Sequence, residues 1–157
     1  MNVRSEERNG HWLGYVVKYW LPVVVLLGVI FWLSGGAFTD GRTSEFFFPK
    51  IKALFPGLSE EGVIFVHEAI RALAHVVEFF LLGLFLSFAV FRSPLRLSRV
   101  EKIVLIIVLL FVFALGDEFR QTMVALRQAS VVDVGLDLLG GMMGLIIVQC
   151  SKFYVQG

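Results

Sequence analysis

Residues 19–39 form a run of 21 residues without a charge, and no other feature restricts the fold as much. In hydrocarbon an unpaired backbone N–H or C=O costs several kcal/mol, so an apolar run of this length has to pair those groups within itself, as a helix. About 20 residues rising 1.5 Å each cover the ~30 Å hydrocarbon core of a bilayer. The run therefore predicts a first transmembrane helix near 17–35, with Trp20 and Trp32 at its two interfaces. Pro22 falls in the first turn, where its missing N–H is tolerated. A cleaved signal peptide is the competing reading. The polar leading segment and the lack of an A-x-A site before Gly36 argue against it.

Three shorter uncharged runs follow: 13 residues over 79–91, 14 over 103–116 and 14 over 138–151. Fourteen helical residues reach only about 21 Å, so each run crosses only if polar residues at one end are drawn to membrane depth. Those residues are His75 and Glu78, then Asp117 and Glu118, then Asp133 and Asp137. The expected fold is an all-α integral membrane protein, one domain over 1–157, with four transmembrane helices near 17–35, 72–91, 101–118 and 133–151. A short interfacial helical segment lies between the first two. Gly35, Gly36, Asp40 and Gly41 read as a turn-rich exit, and Thr43 or Ser44 as the cap of a helix carrying Phe46, Phe47, Phe48, Ile51, Leu54 and Phe55. That helix is interrupted by Pro49, rests on the membrane surface and ends at Pro56-Gly57. Ser59, followed by Glu60 and Glu61, reads as the N-cap of the helix leading into the second span.

Composition agrees with a membrane domain. Hydrophobic residues make up 57% and charged residues 17%, against about a quarter charged in soluble domains. A net charge of +1 without a basic stripe excludes nucleic acid as a partner. Cys150 is alone, which excludes an intrachain disulfide and a thiolate metal cluster; it reads as a packing residue. With four spans, the N-terminus, the 92–102 loop and the C-terminus share one side. Eight of the 14 basic residues lie there, four of them (Arg92, Arg96, Arg99, Lys102) in the short loop. Short basic loops stay inside, so both termini are expected in the cytoplasm and the polar helix ends near the outer leaflet.

Ionisable groups at membrane depth are costly and are functional candidates by default. Arg71, His75 and Glu78 fall at i, i+4 and i+7, on one helical face. Asp117 and Gln121 are four apart, as are Asp133 and Asp137. The structural alternative is that Arg71, Arg120 and Arg127 neutralise the acids and pin the helices together. Acids remain in surplus, which suggests proton transfer, a metal ion or a cationic ligand. His75 with Glu78 has i, i+3 ligand spacing, and Asp117, Glu118 and Asp133 offer hard oxygen ligands for Mg²⁺, Mn²⁺ or Ca²⁺. A divalent cation is thus a candidate cofactor, but no tight motif assigns a metal. For acid–base chemistry His75 beside Glu78 is the polarised pair. For anion recognition Arg71 and Arg127 can hold phosphate. His67 and Glu68 read as interfacial helix surface, and His11 as a solvated tail residue. Gly83, Gly140, Gly141 and Gly144 read as sites of close helix approach.

Several of these residues stand in an order and spacing that resembles the VanZ-like family of small membrane proteins, named for a teicoplanin-resistance protein. The resemblance is carried by Ser34, Arg71-x-x-Ala74-His75-x-x-Glu78-Phe79 and Gly116-Asp117-Glu118-Phe119-x-Gln121. It continues through Arg127-x-x-Ser130-x-x-Asp133-Val134 and Asp137-x-x-Gly140-x-x-x-Gly144, and covers about residues 31–144. Arg120 departs from the pattern, where the family commonly has His or an aromatic residue. The resemblance implies a four-helix membrane protein of the cell envelope, linked to glycopeptide tolerance, with a proposed kinship to lipid head-group enzymes. The expected activity is hydrolysis or exchange of a phosphoester on a membrane lipid or a polyprenyl-phosphate-linked substrate. In that reading His75, Glu78, Asp117 and Glu118 are the catalytic set, with His75 as base or nucleophile. Arg71, Gln121, Arg127, Ser130, Asp133 and Asp137 bind the substrate. The alternatives are a non-catalytic protein that binds a lipid intermediate or envelope partner, and, third, a transporter.

Overall fold

The computed structural model describes residues 12–34, 40–123 and 130–151, and among them every element is helical. Helix α1 is Trp12–Leu33, α2 Asp40–Leu54, α3 Glu60–Phe91, α4 Arg99–Thr122 and α5 Val131–Cys150. Within α1, Val16–Trp20 is a π-helical turn. It falls immediately before the point where Pro22 has no N–H to offer the carbonyl four residues back.

The helix ends follow local chemistry. Ser59 caps α3, its hydroxyl accepting from the Gly62 N–H at 3.2 Å, with Glu60 and Glu61 in the first turn. Ser98 and Glu101 form a capping box at the start of α4: the Glu101 N–H donates to the Ser98 hydroxyl and the Ser98 N–H to the Glu101 carboxylate. Ser130 caps α5 by accepting from the Asp133 N–H.

Two expectations need correction. Three helices, not four, are long and apolar enough to cross a membrane among the described residues: α1, α3 and α5. Helix α4 falls short on composition, because Arg99, Glu101 and Lys102 precede its 14-residue uncharged run and Asp117, Glu118 and Arg120 follow it. Helix α2 begins at Asp40 rather than after a Thr43 or Ser44 cap, and it runs through Pro49 without a break. It also packs on α3. Ile51 is buried, and the Phe47 and Phe48 rings sit 6.1 and 5.5 Å from His67.

The most extensive interface joins α3 to α5, and glycines make it. A Cβ on Gly83 would strike the carbonyl of Gly141, one on Gly140 the carbonyl of Val76, and one on Gly144 the carbonyl of Phe80. Only bare backbone lets the two helices approach this far, which is the use expected of the small residues. His75 meets Asp137 and Gly83 meets Gly141, so α3 and α5 run parallel. Helix α4 runs back against both, with Arg99 bonded to Gln149 at 3.0 and 2.7 Å. Helix α1 is antiparallel to α3, since the Tyr15 hydroxyl donates to the Ala89 carbonyl at 2.6 Å. The apolar core (Ile30, Phe79, Leu82, Leu86, Ile106, Leu110, Ala114) fills one stretch of the bundle. The polar residues collect at the end nearest Ser34.

Candidate functional site

At that end three helices and the residue after a fourth contribute polar side chains. Helix α3 brings Arg71, His75 and Glu78; α4 brings Asp117, Glu118 and Gln121; α5 brings Asp133 and Asp137; and Ser34 follows α1. Ser34, His75, Asp117, Glu118, Gln121, Asp133 and Asp137 are all buried.

The best-defined contact is His75 Nδ1 to Asp137 Oδ1 at 2.9 Å. A carboxylate only accepts, so Nδ1 carries the hydrogen and the other ring nitrogen of a neutral imidazole keeps its lone pair. Asp117 accepts from the Gln121 amide at 2.8 Å and is hydrogen-bonded to the Ser34 hydroxyl. The Ser34 hydroxyl also lies 2.8 Å from the Ile30 carbonyl. Glu118 Oε2 accepts from the Ser130 N–H at 2.6 Å, so an acid from α4 helps to cap α5. The Arg71 guanidinium lies 3.3 Å from Glu68 and 3.6 Å from Asp133.

A cavity of about 230 Å³ opens beside this network, between α1, α2, α3 and α4. Leu33, Phe47 and Ile70 give it an apolar wall, and His67, Arg71, His75, Glu78 and Gln121 a polar one. Shape and lining suit a ligand that is apolar on one side and polar or charged on the other.

The structure brings most of the sequence-selected residues together, but with different partners from those expected. The group that orients His75 is Asp137, which the sequence reading placed among the substrate ligands; Glu78, read as its partner, and Asp117, read in the same catalytic set, are arranged otherwise. Glu78 is half-buried on the cavity wall, and Asp117 is engaged by Ser34 and Gln121. Arg120 is exposed, with no described acid in ion-pair reach, so the pinning role considered for it does not hold. Arg127 lies outside the described residues. His67, read as interfacial surface, is buried and lines the cavity. Its place one turn before Arg71 and two before His75 was the available signal. Ser34 entered the reading only through the family pattern, because nothing local marks a serine at the end of an apolar run as a partner for α4.

The model of the VanZ/LLP1 family matches residues 19–152. No curated protein and no solved structure matches the chain. The family match takes in every described element from within α1 to the end of α5, including all the residues of the polar cluster, and the chain belongs to the VanZ/LLP1 family.

Proposed function

We propose that this membrane protein acts on the phosphate-containing head group of a lipid, by phosphoester hydrolysis or exchange. The observation that carries the reading is the buried Asp137–His75 pair, whose histidine lines a cavity that Arg71 also lines. With Nδ1 held by Asp137, the other imidazole nitrogen takes the proton from a water or alcohol oxygen as that oxygen bonds to phosphorus. The same proton then goes to the leaving oxygen as the old P–O bond breaks. Arg71 meets the phosphate oxygens, with Arg127 as a second clamp. Glu78 lies beside His75 on the wall, and the apolar wall accepts the start of the lipid tail.

The depth of the site supports α4 as a fourth crossing. Asp117, Glu118 and Gln121 are buried against protein, so lipid does not have to solvate them. A 24-residue helix is also about 36 Å long. In this reading both termini are cytoplasmic and residues 117–132 face outward, toward the cell envelope, where glycopeptide tolerance is the phenotype to score. A second reading, binding of a lipid intermediate without turnover, draws on Arg71 already being held by Glu68 and Asp133.

Turnover of radiolabelled phospholipid and polyprenyl-phosphate substrates by the purified protein separates the two. Loss of an orienting or proton-transferring group is expected to slow an enzyme by about 10²–10⁴, so Asp137→Asn and His75→Ala should both fall by that factor while remaining folded. Retained lipid binding with no turnover by the wild type selects the second reading.

A further inference from the structure

We propose that His75, Asp117 and Asp137 form a binding site for one divalent transition-metal ion. The three residues come from three different helices, and all are buried, at 7%, 1% and 0% exposure. One ring nitrogen of His75 and one carboxylate oxygen from each acid lie within 4.8 Å of one another. Three ligand atoms bonded to a common ion at about 2.0–2.2 Å lie about 3–4 Å apart. The set therefore needs to close by about an ångström, and mainly at Asp117, because His75 and Asp137 are already 2.9 Å apart.

Acidic residues that gather in space do not by themselves make a site. Here a second observation points to a missing electropositive partner. Asp137 Oδ2, Glu118 Oε1 and Gln121 Oε1 are buried and have no hydrogen-bond donor. Their residues are 0%, 4% and 1% exposed. Two of these oxygens belong to groups whose other atom is bonded inside the cluster: Asp137 Oδ1 to His75, and the Gln121 amide nitrogen to Asp117. These three unpartnered atoms are all acceptors. Buried polar atoms are ordinarily satisfied, and the atom they want here is a cation or a proton donor. The groups that do reach the acids are chiefly neutral: a hydroxyl, an amide and a backbone N–H. A divalent ion held by His75, Asp117 and Asp137 would supply the charge and, at Asp137, a missing contact.

The donor set narrows the ion. One imidazole with two carboxylates is a mixed N/O set, which suits Zn²⁺, Mn²⁺ or Fe²⁺ better than the all-oxygen shell that Ca²⁺ prefers. His75 Nδ1 and Asp137 Oδ1, 2.9 Å apart, are spaced as neighbouring ligands on one ion. Loading at Nδ1 would release the proton they now share. The site stands whether or not the protein turns over a lipid. If it does, an ion at Nδ1 would hold the ring in place of the Asp137 hydrogen bond and leave the other ring nitrogen for the proton transfer proposed above.

The test uses the untagged full-length protein in detergent, stripped by a chelator and dialysed separately against Zn²⁺ and Mn²⁺, with bound metal counted by mass spectrometry. One equivalent is expected, with affinity down about tenfold or more in Asp117→Asn and Asp137→Asn and unchanged in Glu101→Gln, an acid outside the cluster. X-ray absorption of the zinc-loaded wild type should show nitrogen and oxygen neighbours with a single imidazole. That spectrum decides the matter even where a variant does not fold. Substoichiometric binding by the wild type, binding that survives both substitutions, or a sulfur neighbour at about 2.3 Å, which would assign the ion to Cys150, overturns the proposal. Lipid turnover by metal-stripped protein that binds no ion would remove the metal site and leave the lipid reading standing. A bound ion without turnover does the reverse.

Discussion

Gly140→Ala should separate α3 from α5 at the level of His75. A Cβ at Gly140 would lie 3.0 Å from the Val76 carbonyl carbon, 3.0 Å from its Cα, and closer still to its oxygen. Optimal carbon contacts are about 3.5–4.0 Å, so the helices have to part by at least about half an ångström. Overpacking costs about 1–3 kcal/mol. The upper end applies here, because the obstacle is backbone and no rotamer can yield. Replacing glycine inside a helix also returns up to about 1 kcal/mol of propensity, which leaves a net loss near 2 kcal/mol. Gly135→Ala is the matched control: Gly135 lies in the same helix, and an added Cβ there meets nothing within 4 Å. It gains the same propensity with no overpacking, so the two variants should differ by about 3 kcal/mol. Unfolding by SDS titration in mixed micelles measures that gap. Asp137 lies one turn before Gly141, and His75 adjoins Val76, so the same displacement should loosen the Asp137–His75 bond. Metal binding or turnover should then fall in Gly140→Ala and persist in Gly135→Ala. Two variants of equal stability would refute the claim that backbone contact sets the α3–α5 distance.

Ser34→Ala takes from Asp117 the hydroxyl that ties α1 to α4. A buried acceptor that loses a partner costs about 1–3 kcal/mol, so the same titration should show that loss, and wild-type stability would remove Ser34 from the network. Membrane orientation can be read by impermeant maleimide on intact cells in a Cys150→Ser background. A cysteine at Met123, 70% exposed, should label from outside and one at Arg96 should not; the opposite pattern moves the cavity to the inner leaflet.

The sequence by itself determined the helical class, the first crossing, the Ser59 cap and the glycines of close approach. Each depends on neighbours within a few residues, such as an uncharged run, a cap or a missing side chain. It also determined that His75, Asp117, Asp133 and Asp137 share a depth, because each adjoins the polar end of a short apolar run. Partnership was another matter. Helical periodicity showed which face His75 occupies and offered Glu78, three residues on, as its companion. The carboxylate it meets is Asp137, 62 residues away, and the register between α3 and α5 selects it. That register follows from backbone seated on backbone at Gly83, Gly140 and Gly144; the sequence shows the glycines but not which turn of the facing helix each one meets. Ser34 and Asp117, 83 residues apart, were joined in the same way, and the packing of α2 on α3 turned His67 from a surface residue into part of the cavity wall. Spacing along a helix sets face and depth. Only the packing of helix on helix decides which groups touch.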